Sequence, residues 1–173
     1  MTQTARDISY ALRQGQLVAI ADETGWSVAA DPINDNAVEQ LLAIQQETGT
    51  DLSLVIQHAD QLVMYVAKLP DIAWELVDFS EKPLIVIFEK GKNISQKAGP
   101  EAPIAIRKAL NPEIQRLIGG FGRGLLTLSF GKTQLPKVAE SAVSGHFGVL
   151  PNKVHLPRIL KLGATGEIEF IRK

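Results

Sequence analysis

The chain has 173 residues, 45% hydrophobic and 21% charged, with no cysteine and a net charge of −1. A chain of this length buries roughly 70% of its unfolded surface, so a single cored domain spanning residues 1–173 is expected. The missing cysteines exclude a disulfide framework, a thiolate metal site and a cysteine nucleophile.

The N-terminal stretch 1–7 lacks the basic-then-apolar character of a signal peptide. The longest apolar run, Leu84-Ile85-Val86-Ile87-Phe88, falls far short of the ~20 residues that a membrane span needs. A soluble cytoplasmic protein with no membrane partner is the expectation. Apolar residues at helical spacing predict a first helix over 4–14, stopped by Gly15. A buried strand follows over 17–21. A second helix is predicted over 35–46, with Asn36 and Glu39 as its capping pair and Val38, Leu41 and Leu42 as its apolar stripe. Residues 52–57 read as a strand, and 60–66 and 71–79 as short helices.

The β-branched run 83–89 is the clearest strand in the chain. The polar stretch 90–103, rich in Gly, Pro and Lys, is expected to be a mobile loop. A strand over 104–107, a helix over 112–118 and a strand over 125–130 come next. Two final strands, 158–162 and 167–171, flank the turn Gly163-Ala164-Thr165-Gly166. Early strand–helix alternation and a late hairpin predict an α/β fold with a twisted mixed sheet.

Charge is unevenly spread. Residues 1–86 carry four basic and 13 acidic side chains, whereas 87–173 carry 14 basic and six acidic ones. This separation permits an anion-binding face, and it equally permits halves that interleave and neutralise each other. Several motifs fail on inspection. Gly131-Lys132-Thr133 has Leu126 where a phosphate loop needs its first glycine. Gly120-Phe121-Gly122-Arg123-Gly124 follows a helix and precedes a strand, the reverse of a dinucleotide loop. His58, His146 and His155 form no close ligand pair, and Ser144-Gly145-His146 reads as a turn.

One segment carries a resemblance. Leu17-Val18-Ala19-Ile20-Ala21-Asp22-Glu23-Thr24-Gly25-Trp26-Ser27-Val28-Ala29-Ala30-Asp31-Pro32 resembles the opening strand and loop of the YrdC-type, threonylcarbamoyl-AMP synthase-like family. There, members read Pro-Thr-Asp-Thr, then an aromatic residue with Gly-Leu. Asn34, Asn36, Ala37 and Val38 also match the layout. So do Pro83-Leu84, Ile106-Arg107, residues 125–129 and Ile171-Arg172, across essentially the whole chain. The resemblance implies a twisted mixed sheet with surrounding helices and a concave cavity. It implies ATP as a cosubstrate, with threonine and bicarbonate, in tRNA threonylcarbamoyl-adenosine modification. It also implies double-stranded RNA or tRNA as a partner.

The sequence departs from this pattern at charged positions. Where the family carries Lys-x-Arg-Pro, this chain has Gln45-Gln46-Glu47-Thr48. A unit charge pair at 4 Å is worth ~4 kcal/mol at an effective dielectric of 20, so reversing one sign is expensive for a triphosphate site. Pro-Thr-Asp-Thr has become Ala21-Asp22-Glu23-Thr24. The family's Thr-Ser-Ala-Asn has become Leu128-Ser129-Phe130-Gly131, and its late Ser-Thr pair aligns with Pro157-Arg158. The expectation is a divergent non-synthase member that binds a nucleotide, a small anion or RNA in the family cavity. The alternative is an active synthase with cations relocated to Arg107, Arg158 and Lys132.

The ligand-binding candidates are Thr24, Trp26, Arg107, Ser129 and Arg158; no catalytic or metal-ligating residue is assigned. Trp26 either stacks on a base or packs in the core. Arg107 either clamps a phosphate or carboxylate through its planar fork or pairs with an acid such as Glu89. Ser129 either contacts ligand or satisfies local backbone. Lys90, Lys92 and Lys97 either guide an anion or form a solvated loop.

Overall fold

The computed structural model describes residues 3–99 and 102–172. Met1 and Thr2, read above for a signal sequence, and Pro100 and Glu101 of the predicted loop lie outside the described residues. Helix α1 (Ala5–Arg13) leads into β1 (Leu17–Asp22) and β2 (Gly25–Ala30), followed by α2 (Asp35–Thr48) and β3 (Leu52–Ile56). Two short helices, α3 (Leu62–Tyr65) and α4 (Ile72–Asp78), precede β4 (Leu84–Phe88), β5 (Ile104–Lys108) and α5 (Pro112–Phe121). The chain closes with β6 (Leu125–Ser129), α6 (Lys137–Ala142), β7 (Val143–Phe147), β8 (Arg158–Leu162) and β9 (Ile168–Arg172).

The nine strands among the described residues form one sheet in the order β7-β1-β2-β6-β3-β5-β4-β8-β9. The pairs β1–β7, β3–β5 and β4–β8 are parallel and the rest antiparallel, so the sheet is mixed, as expected. Successive strand residues face opposite sides of a sheet, and both sides here are apolar over part of their area. On one side Val28, Leu54, Val86, Ile106, Leu128 and Leu160 pack under α2, α3, α4 and α6. On the other, Val18, Ile20, Ala29, Val55 and Leu125 are covered by Ile8 and Leu12 of α1 and by Ile114, Leu117 and Phe121 of α5. That second layer reaches only part of the sheet and leaves the side of β4, β5 and β8 open.

Three elements differ from the sequence reading. Residues 25–30 form β2, because the Asp22 carboxylate accepts from the Thr24 backbone N–H (2.8 Å) and hydroxyl (2.6 Å), locking a two-residue hairpin turn. Ser144-Gly145-His146 is not a turn: it lies in β7, paired in parallel with β1. Residues 137–142 add α6, which the sequence reading passed over. The cap of α2 is also different. Asn34 has the extended backbone that an N-cap needs, and its side chain accepts from Ala37 N–H at 3.0 Å; Asn36 is already inside the helix. Glu39 instead pairs with Lys97 at 2.9 Å.

That ion pair belongs to the predicted mobile loop. In its described part, Ser95 donates to the Asp35 carboxylate (2.6 Å) and its N–H to Pro32 O (2.7 Å), and residues Gln96–Ala98 form a 3₁₀ turn. The loop is therefore docked on the start of α2. The glycine cluster 120–124 ends α5 and enters β6, the helix-to-strand turn that its order predicts.

Candidate functional site

The site is built on the open part of the sheet face that also carries α1 and α5. Register fixes which side chains share it. Ile20 lies opposite Ser27, Ser27 opposite Ser129, Thr127 opposite Ser53, and Val55 opposite Arg107. With a two-residue period, Asp22, Ser27, Ser53, Arg107, Thr127 and Ser129 therefore all stand on one face. They form a polar band between the apolar layer under α5 and the open wall of Ile85, Ala105, Ile87 and Ile159. Ser53 and Thr127 are buried with their hydroxyl oxygens 3.1 Å apart, and Thr127 also donates to Ser53 O at 2.9 Å.

Arg107 is wholly buried. Its Nη2 donates to Asp22 Oδ2 at 2.8 Å and its Nη1 to Glu23 Oε1 at 3.2 Å. The acid anticipated for it, Glu89, is not the partner; the hairpin turn at Asp22-Glu23 supplies two acids instead. The same Asp22 holds Thr24, whose hydroxyl lies 3.4 Å from that of Ser129. Thr24, Arg107 and Ser129 are thus joined through one buried network. Among the described residues, three buried polar atoms on this face have no partner: Glu23 Oε2, Ser27 Oγ and Arg107 Nε. Buried polar atoms are rarely left so.

The other two candidates lie elsewhere. Trp26 pairs with Ala21 and so faces the opposite side of the sheet, half-buried, with its ring edge-on to His146 at 5.6 Å. Arg158 starts β8 opposite Leu84 and so alternates with the positions that share the face of Arg107, but at this strand end it is exposed and lines the rim of a cleft that Glu23 also borders. Lys132 is likewise exposed, its backbone O accepting from Trp26 N–H. Gln46 and Glu47 are exposed at the end of α2, and the last turn of that helix carries no basic residue.

Two clefts open on this face. One, of about 600 Å³, is lined by Glu23, Lys82, Asn111, His155 and Arg158 among others. The second, of about 510 Å³, is lined by Ser53, Ser129, Ile85, Ile87 and Arg172. Either volume lies within the usual range for small-molecule sites. The sequence reading named neither Ser53 nor Thr127. Their signal was present, as a lone hydroxyl between leucines in Leu52-Ser53-Leu54 and Leu126-Thr127-Leu128. No group of three or more metal-ligating side chains occurs among the described residues.

Glu23 has its pKa raised above the ordinary 4.5, first by burial and then by Asp22, with Arg107 opposing. The folded chain thus keeps a proton on Glu23 over a pH range in which the unfolded chain has lost it. Stability from this group is fully present below the ordinary value and is lost as pH rises through the raised one. Glu23→Gln, a mimic of the protonated acid, is expected to match the parent in urea unfolding at acid pH and to exceed it at neutral pH. A difference that stays constant with pH would defeat this assignment.

The fold defines a mixed α/β protein whose partly covered sheet face carries two clefts. The chain belongs to the Sua5/YciO/YrdC family, whose model, described as "Telomere recombination", matches residues 10–144. It is 34% identical over 165 residues to the threonylcarbamoyl-AMP synthase of Photobacterium profundum, an alignment covering 90% of this chain and 84% of that one. It is 30% identical over 138 residues to the synthase of Pseudoalteromonas translucida, covering 75% and 74%. Among solved structures it resembles E. coli YciO, with a TM-score of 0.75 and 19% identity over 100% of this chain and 96% of that one. It also resembles P. abyssi Sua5 complexed with L-threonine, with a TM-score of 0.72 and 20% identity over 91% of this chain and half of that one. At these identities the structural likenesses speak for the fold alone. No helix among the described residues is long and apolar enough to cross a membrane.

Proposed function

We propose that this family member binds a small polar molecule of amino-acid size on its hydroxyl-bearing sheet face and does not hold a nucleoside triphosphate there. The observation that carries the reading is the state of Arg107. Two carboxylates, Asp22 and Glu23, already occupy its guanidinium, so the most buried cation of the site is neutralised within the chain. A triphosphate would add several negative charges beside an Asp22–Glu23–Arg107 group that is already net negative when both acids are ionised. The end of α2 offers Gln45 and Glu47 in place of cations. Hydroxyls are what remains to bind with: Ser53 and Ser129 line the second cleft and can meet a hydroxyl, amine or carboxylate, with Thr24, Ser27 and Thr127 buried alongside them. A family relative has been solved with L-threonine, which makes threonine the first ligand to test.

The competing reading is a threonylcarbamoyl-AMP synthase, favoured by relatives of that name that align with most of the chain. Titration calorimetry with L-threonine and with ATP separates the two. Binding of threonine without ATP supports the proposal. Micromolar ATP binding, with pyrophosphate release that requires both threonine and bicarbonate, overturns it in favour of the synthase. RNA association that weakens steeply with salt, with no threonine binding, would move the function to the basic C-terminal half.

A further inference from the structure

The two clefts share one lining residue. The connection from β7 to β8, residues 148–157, runs across the open face, and Leu156 lines both the 600 Å³ and the 510 Å³ cleft. Leu156 is 62% exposed, so its side chain is not part of the core. Its position is fixed by its neighbours. His155 N–H donates to Glu23 O at 2.8 Å, on the hairpin turn that holds Arg107. On the other side, Arg172 clasps Pro157 O through Nε and Nη2 at 2.9 and 2.7 Å, and Arg158 N–H donates to Pro83 O at 3.0 Å. The side chain reaches Gly131, where an added Cβ would stand 2.7 Å from Leu156 Cδ2. A leucine anchored on both flanks and suspended between two ligand-sized spaces is a wall.

We infer that Leu156 sets the size limit of the site, confining a bound amino acid to the cleft of Ser53 and Ser129 and excluding it from the cleft of Glu23, Asn111 and Arg158. The inference rests on the amino-acid reading above and adds the element that selects among such ligands. Shortening the wall joins the two spaces, so a ligand with a bulky side-chain substituent fits where only a short one did. Differences of one or a few methylenes in an apolar pocket change selectivity by roughly 10–200-fold, and removal of a leucine side chain acts on that scale.

The test uses L-threonine and O-benzyl-L-threonine as probes, titrated into the parent chain and Leu156→Ala. The expected result is a gain of tenfold or more in O-benzyl-L-threonine affinity relative to L-threonine affinity in the variant. A second arm exploits the absence of cysteine, which makes Leu156→Cys a unique thiol. L-threonine is expected to slow its reaction with a neutral maleimide fivefold or more. A methylthio adduct there should leave L-threonine binding within threefold of the parent, and a cyclohexylmaleimide adduct should reduce it tenfold or more. Equal O-benzyl-L-threonine affinity in parent and Leu156→Ala overturns the inference. Failure of the parent chain to bind L-threonine instead overturns the amino-acid reading, whereas a gain of the larger probe in the variant would still establish the wall.

Discussion

Arg107→Met is expected to destabilise the chain by about 3–5 kcal/mol, the range measured when one partner of a buried ion pair is removed and the other is stranded. Asp22 has no side-chain exposure, and Glu23 is only 17% exposed. Asp22 cannot reach bulk water without opening the β1–β2 turn, whereas Glu23 borders the larger cleft. A loss of this size in a chain of this length corresponds to a fall in Tm on the order of 10 °C. The cause can be separated from packing by a double-mutant cycle. Asp22→Asn with Arg107→Met removes the fully buried one of the two stranded acids along with the cation, so the pair should lose less than the sum of the two single variants. Urea unfolding at neutral pH measures all three. A loss below 1 kcal/mol for Arg107→Met, or strict additivity with Asp22→Asn, would show that the guanidinium is not compensating a buried charge. That result would also remove the argument that Arg107 is unavailable to a ligand.

Much of this arrangement could be read in the sequence, and the parts that could not have physical reasons. Strands announced by β-branched runs, such as Leu84–Phe88, stand where they were expected because both faces of that strand demand apolar side chains only in alternation with a semi-exposed wall. Strand β2 was hidden because Gly25-Trp26-Ser27-Val28-Ala29-Ala30 carries no clean alternation, and its pairing depends on an Asp22 side-chain turn that resembles loop chemistry. This one misreading explains the displaced Trp26. As a loop neighbour of Thr24 it shares the cavity; as the second residue of a strand it faces away from it. Arg107 was identified as a candidate clamp, yet its partners lie 84 and 85 residues earlier in the chain, a separation that no local pattern encodes. Ser53 and Thr127 were legible as polar interruptions, but only the β3–β6 register shows that they meet.

The connection that carries Leu156 also depends on a single backbone position at its start. Gly148 has φ +92°, and a Cβ added there would stand 2.5 Å from Ala21 O, a backbone atom of β1 that cannot swing aside. Gly148→Ala therefore combines the cost of a side chain in the left-handed region, roughly 1–3 kcal/mol, with displacement of the connection from the sheet. A total near 2–4 kcal/mol is expected. Gly166 provides the control, since it has φ +98° but an added Cβ meets nothing within 4 Å. Gly166→Ala should incur only the conformational part, and the difference between the two variants in urea unfolding isolates the contact with β1. Function should divide in the same way. Gly148→Ala shifts the segment that places His155 on Glu23 and Leu156 between the clefts, so its preference for L-threonine over O-benzyl-L-threonine should fall tenfold or more while Gly166→Ala stays within threefold of the parent. Equal stability losses in the two variants would mean that the connection yields without strain. It could not then hold Leu156 as a fixed wall, and selectivity for ligand size would have to arise from the sheet face itself.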